Sequence, residues 1–168
     1  MTPMRRRDRE ITDDALLDEL IRRCDCIRLA FNVPGGAPYL VPLSFGFVHE
    51  GGARVFYLHC AGSGRKLDLL RQNPHVGFEL DTGHAVNGGD TACEWSFRFE
   101  SIIGTGLLCE LCDPADKQAA LRCLMAQYDG GKRPAGMPDG PWAFDPAMLK
   151  AVTVLRLTVQ ELSGKKHA

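Results

Sequence analysis

Arg65 and Lys66 follow a small-residue turn in YLHCAGSGRKLDLLRQNP, residues 57 to 74. The first half of this stretch reads as a strand and the second as a helix, so both cations fall in the opening turn of the helix. A helix start already exposes N–H groups without intrahelical partners and a partial positive charge, and two added cations lower its stability unless an anion sits among them. Both side chains together with backbone N–H groups suit a phosphate. Charge pattern alone favours the plainer alternative, two solvated side chains. Two other nucleotide motifs fail here. Gly62, Gly64 and Lys66 lack the spacing and following hydroxyl of a Walker loop, and the two glycines lack the third small residue of a dinucleotide fingerprint.

His59, six residues before Arg65, is the acid/base candidate, against the alternative of a hydrogen-bonded histidine in a sheet wall. His49, His75 and His84 fall at turns or strand ends and have no argument beyond exposure. Cys109 and Cys112 form a CxxC and Cys24 and Cys26 a CxC, yet neither pair has matching ligands elsewhere, and a metal site needs convergent ligands. We read them as buried or partly buried free thiols and expect no metal. Trp95 reads as a packing residue. Either Glu100 or Ser101 could face a ligand, since alternation does not choose between them.

The elements that must position these residues alternate in character along the chain. Thr12 can cap a helix over 13 to 23, with Leu16, Leu17, Leu20 and Ile21 as its apolar stripe. Strands are expected over 26 to 32, 39 to 48 and 54 to 60, with Gly51 and Gly52 turning the last two into a hairpin. After the helix at 64 to 72, Asn73 and Pro74 end it and HVGFEL begins another strand. FRFESIIGTGLLCEL, kinked at Gly104 and Gly106, and VTVLRLTVQEL complete the sheet. Between those two strands, Asp113 caps a helix in which Pro114 takes the first position. Six strands with glycine-marked bends and flanking helices predict a mainly β fold, a small antiparallel barrel.

Within the hairpin, Tyr39, Val41, Leu43, Phe45 and Phe47 share one face, and Leu40, Pro42, Ser44 and Gly46 the other. The second face is shallow enough for a flat molecule to lie on, and Pro42 implies an edge strand. Tyr57 and His59 are expected to border the same surface. A phosphate beside such a platform describes a mononucleotide cofactor.

At 168 residues the chain suits one domain spanning 1–168. Its 20 basic and 21 acidic residues leave a net charge of −1, which argues against a dedicated nucleic-acid surface. No apolar run follows the basic MRRRDREI and no stretch reaches the length of a membrane span, so neither a secretory signal nor a membrane partner is expected. Seven cysteines, an odd number, fit reduced thiols in a cytoplasm. DGGKRPAGMPDGPWAFDP, residues 129 to 146, is long enough to be a lid or interface loop, with Trp142 and Phe144 as the residues to cover a site or simply anchor the loop.

MRRRDREI, PYLVPLSFGF, YLHCAGSGRK, CEWSFRFESIIGTG and the terminal LSGKK occur in an order that resembles the pyridoxamine 5′-phosphate oxidase-related FMN-binding split barrels, specifically their 5-nitroimidazole resistance (nitroimidazole reductase) branch. The resemblance runs over nearly the whole chain. It implies a six-stranded antiparallel split β-barrel that forms a homodimer, with FMN at the subunit interface. Val41, Pro42, Leu43 and Ser44 would line the flavin ring, His59, Cys60 and Ala61 would lie near it, and Arg65 and Lys66 would hold the phosphate. The implied activity is an oxidoreductase passing electrons from NADH or NADPH to a small electron-poor acceptor, with a nitroaromatic as one candidate and His59 as the catalytic acid. A non-enzymatic flavin carrier or sensor and a haem-binding barrel are the alternatives. The substrate-binding residues of the pyridoxamine phosphate oxidases proper are missing, which argues against vitamin B6 oxidation.

Overall fold

The computed structural model describes residues 4–129 and 142–167. A 3-10 turn at Arg7–Arg9 leads into strand β1 (Glu10–Ile11) and helix α1 (Asp14–Arg23). Strands β2 (Ile27–Phe31), β3 (Tyr39–Leu43), β4 (Phe45–Glu50) and β5 (Ala53–Ala61) follow, then helix α2 (Arg65–Gln72) and the long strands β6 (His75–Asn87) and β7 (Ser96–Leu111). Helices α3 (Pro114–Asp129) and α4 (Pro146–Ala151) precede the last strand, β8 (Val152–His167). All pairings are antiparallel, in the order β3-β2-β6-β7-β8-β5-β4, with β1 beside β8.

The six expected strand segments are all present, and the one over 39 to 48 divides at Ser44. Its first half pairs with β2 and its second with β5, so this segment supplies both edges of the sheet. That is the split in the barrel, and Pro42 lies on an edge strand, where its missing N–H costs no ladder bond. At the split the Phe45 amide donates to the Tyr128 hydroxyl (3.0 Å), which itself donates to the Asp25 carbonyl (2.9 Å), so α3 satisfies the first amide of the edge strand.

The interior is apolar. Phe47, Phe56, Leu157 and Leu108 follow one another across four strands on the inner face. Phe56 also meets Phe78, whose strand is not a neighbour of β5 in the sheet, with ring centroids 5.4 Å apart, so opposite walls touch through aromatic rings. Helix α1 packs Leu17, Leu20 and Ile21 into the same cluster. Its cap is Asp13, not Thr12: the Asp13 carboxylate accepts from the Ala15 and Leu16 amides, while Asp113 caps α3 as expected. Gly51 and Gly52 take φ of +57° and +81°, the left-handed pair a tight β4–β5 hairpin needs. The expected kink near Gly106 is a bulge, with Thr105 opposite Glu161 and Gly106 opposite Val159.

Two details of the expected shallow face change. Gly46 is buried because α3 crosses it so closely that an added Cβ would stand 2.5 Å from the Leu124 nitrogen. Tyr57, paired with Gly46, does not border Pro42; its hydroxyl donates to Glu50, which also accepts from Arg156. The open part of that face is therefore Leu40 and Pro42 on β3, with Ser44 half-buried at the crossing. No helix among the described residues is long and apolar enough to cross a membrane.

Candidate functional site

Three segments converge near the split. Phe45 pairs with Leu58, which brings the preceding residue, Ser44, to the level of His59 at the far end of β5. Strand β5 then runs through Cys60 and Ala61 into the turn that starts α2. The Arg65 guanidinium lies over the Tyr39 ring at 4.6 Å, tying the head of α2 back to β3. Tyr39 thus belongs to the site through its ring, although alternation marks it only as a core position.

The head of α2 has no side-chain cap. Its N-cap is Gly64 at φ +133°, a conformation open to glycine and strained for other residues, and no side chain accepts from the first-turn amides. The charges on this helix differ in a telling way. Arg71, in its last turn, is paired with Glu110 through two contacts of 2.9 and 3.1 Å. Arg65 and Lys66 make no ion pair among the described residues.

The other expected residues distribute around this head. His59 and Ala61 are exposed, and Pro42 is exposed on β3. Val41 and Leu43 are half-buried against the core, and the Cys60 thiol points inward and is buried. Burial pushes the Cys60 pKa up, with Lys66 opposing it. Gly62 passes close to α4, where an added Cβ would lie 3.4 Å from the Ala151 carbonyl, and Lys117 donates to the Leu149 and Val152 carbonyls to hold that junction beside Ala61.

The remaining expectations fall elsewhere. Glu100 is bound to Arg23 (2.6 Å), and Trp95 is exposed on the β6–β7 arm with its indole N–H donating to the Gly89 carbonyl. All seven cysteines are free thiols, but Cys109 and Cys112 are exposed, not buried: Cys109 lies on the outer face of β7 and Cys112 just beyond its end. Phe144 lies 5.9 Å from the Arg122 guanidinium; residues 130–141 of the long loop lie outside the described residues.

A sequence profile of the family described as pyridoxamine 5′-phosphate oxidase matches residues 13–166, nearly the entire chain. The chain belongs to that family. No curated protein gives a significant sequence match. Among solved structures, the fold is similar to that of a candidate 5-nitroimidazole antibiotic resistance protein from Bacteroides thetaiotaomicron, at 24% identity and a TM-score of 0.76, covering 94% of this chain and 86% of that one. It is also similar to a flavocytochrome from Azotobacter vinelandii (18% identity, TM-score 0.76, 99% and 72% covered). A protein from Mycobacterium smegmatis that binds FAD and haem gives 21% identity and a TM-score of 0.77, with 94% and 73% covered. At these identities the likeness establishes the fold, a split barrel of the pyridoxamine 5′-phosphate oxidase type.

Proposed function

We propose that the site at the head of α2 binds FMN and that the protein is an oxidoreductase, drawing electrons from NADH or NADPH and delivering them to a small electron-poor acceptor such as a nitroaromatic. The observation that carries this reading is the contrast along α2: Arg71 has its carboxylate, whereas Arg65 and Lys66, at an uncapped helix start, have no ion-pair partner among the described residues. Such cations beside free amides fit a phosphate dianion. Membership of a family that includes flavin-dependent oxidoreductases supports the choice of cofactor.

Arg65, Lys66 and the first amides of α2 would hold the phosphate. The β3 backbone from Val41 to Ser44 would flank the ring, with Cys60 and Ala61 closing the β5 side. Bound there, FMN would supply the two-electron chemistry. The chain's own contribution is to orient the ring, to exclude water with the apolar side chains of β3, and to offer a proton from an exposed His59 imidazole.

Partnership with a second copy of the chain is part of the proposal. Leu40 (66% exposed), Ile103 (59%) and Leu107 (38%) lie on the outer face of the β3-β2-β6-β7 wall, with Pro42 beside Leu40 and the Arg28–Glu79 ion pair between Pro42 and Ile103. A two-fold dimer through this wall would cover the β3 side of the site.

The test combines an absorbance spectrum with stopped-flow kinetics. Purified protein reconstituted with FMN should show flavin bands without a haem Soret band, and should bleach on mixing with NADH or NADPH. The reduced flavin should reoxidise rapidly on adding a nitroaromatic. In His59→Gln the bleaching should survive while acceptor turnover per bound flavin falls by roughly 10²-fold. A reduced flavin that never passes electrons to the acceptor would contradict the enzymatic reading, and an unchanged rate in His59→Gln would remove its acid role.

A further inference from the structure

Antiparallel register brings one pair of residues together at the split. Strand β2 pairs Arg28 with Pro42 and Ile27 with Leu43, so two further steps would set Asp25 opposite Phe45. The ladder stops short of that pair. Phe45 turns to Leu58 on β5, and Ser44 is left as the residue between the two edges of the sheet. Between the Phe45 amide and the Asp25 carbonyl, which a continued ladder would bring together, stands the Tyr128 hydroxyl. It accepts from the amide at 3.0 Å and donates to the carbonyl at 2.9 Å.

This hydroxyl is held from both sides. Gly46 lets α3 come so close that an added Cβ would stand 2.5 Å from the Leu124 nitrogen, and Tyr128 lies one helical turn further on. The Gln127 side chain donates to the Arg22 carbonyl at the end of α1 (3.1 Å), a second anchor for the last turn of α3. On the strand side the Phe45 ring is fully buried and meets Phe56 edge-on, with centroids 5.5 Å apart. A tyrosine hydroxyl has one proton to give, and here it gives that proton to Asp25 while accepting from Phe45. Burial pushes the Tyr128 pKa up, so the proton stays on the oxygen that donates it.

We propose that Tyr128 is a positioning residue of the flavin site: its inserted hydroxyl sets the width of the split and thereby the place of the Ser44 backbone beside the ring. The inference rests on the flavin reading, in which the β3 backbone from Val41 to Ser44 flanks that ring. Without the hydroxyl, the Phe45 amide and the Asp25 carbonyl lose their shared partner, and a direct ladder bond is the nearest way to satisfy both. Such closure draws Ser44 toward β2. Binding of the ring weakens when its supports move by a fraction of their contact distance, whereas the phosphate contacts at α2 stay in place. Tyr128 acts through Ser44 and touches no reacting atom.

Fluorescence titration of apo protein with riboflavin and with FMN tests it, run on wild type, Tyr128→Phe and Gln127→Ala. Tyr128→Phe should weaken both flavins by the same factor, roughly tenfold, and alter the visible circular dichroism of the bound flavin. Gln127→Ala cuts an anchor of α3 away from the split, so it should lower the urea midpoint and leave both affinities unchanged. Amide exchange in wild type gives a second readout that needs no variant. Because coupling between two events is reciprocal, saturating FMN should slow exchange of the Phe45 amide by about the same tenfold. A wild type that binds no flavin would overturn this inference together with the flavin reading. If wild type binds flavin, four results would each overturn the positioning role alone: equal affinities in Tyr128→Phe, a loss confined to FMN, the same loss in Gln127→Ala, or Phe45 exchange indifferent to FMN.

Discussion

Arg65 and Lys66 could be read in the sequence as cations at a helix start, but only the structure shows that they form no ion pair among the described residues. Whether a surface cation has a carboxylate depends on a strand far away in sequence: Arg71 finds Glu110 on β7, whereas Arg65 and Lys66 at the head of the helix form no ion pair among the described residues. Cys24 illustrates a second consequence of burial. Closed into the core and donating from its thiol to the Leu20 carbonyl, it has its pKa pushed up to about 12 by desolvation. Below pH 9 the thiol is protonated in both folded and unfolded chains, and its contribution to stability is fully present. Between pH 9 and 12 the unfolded chain loses this proton more readily than the folded one, so stability falls as pH rises, by about 1 kcal/mol per pH unit from this group. Urea denaturation at pH 8 and pH 10.5 should show that fall in wild type and a shallower one in Cys24→Ala. Equal slopes would mean that the thiol ionises as freely in the folded chain as in the unfolded one.

At the scale of elements, the strand segments and both long helices were legible because their apolar periods and the Asp113 cap are local, although α1 is capped by Asp13 and not by Thr12. The break at Ser44 was not. A single alternating run over 39 to 48 looks like one strand, and its division between two edges follows from sheet closure, which brings β2 and β5 to opposite sides of it. The covering of Gly46 by α3 was equally hidden, since the sequence offers a small residue without saying what approaches it. Because a Cβ there would meet the Leu124 nitrogen at 2.5 Å, Gly46→Ala should push α3 off the edge strand and cost about 1–3 kcal/mol. A lower urea midpoint with an unchanged m-value checks this; an unaltered midpoint would show that α3 yields freely.

For the whole molecule, the sheet is open at β3 and β4, and the site lies along that opening, so its completeness depends on what covers the outer wall of β3, β2, β6 and β7. If a second copy does, Ile103→Asp should convert a species of twice the 18.5 kDa chain mass into one of the chain mass itself, with loss of flavin, as read by light scattering. A flavin-loaded monomer would show that one barrel suffices. Family and fold were legible from motif order along the chain, whereas the break in the β6–β7 ladder between Thr82 and Ala85 was not, because it comes from strand pairing and not from any spacing in the sequence. The central claim is that the cations at the head of α2 hold the phosphate of a flavin, and fluorescence titration of apo protein with FMN and with riboflavin tests it most directly. Wild type should prefer FMN, and Lys66→Ala should lose about tenfold to a few hundredfold in FMN affinity while binding riboflavin as before. Equal FMN affinity in the variant and wild type would contradict the account.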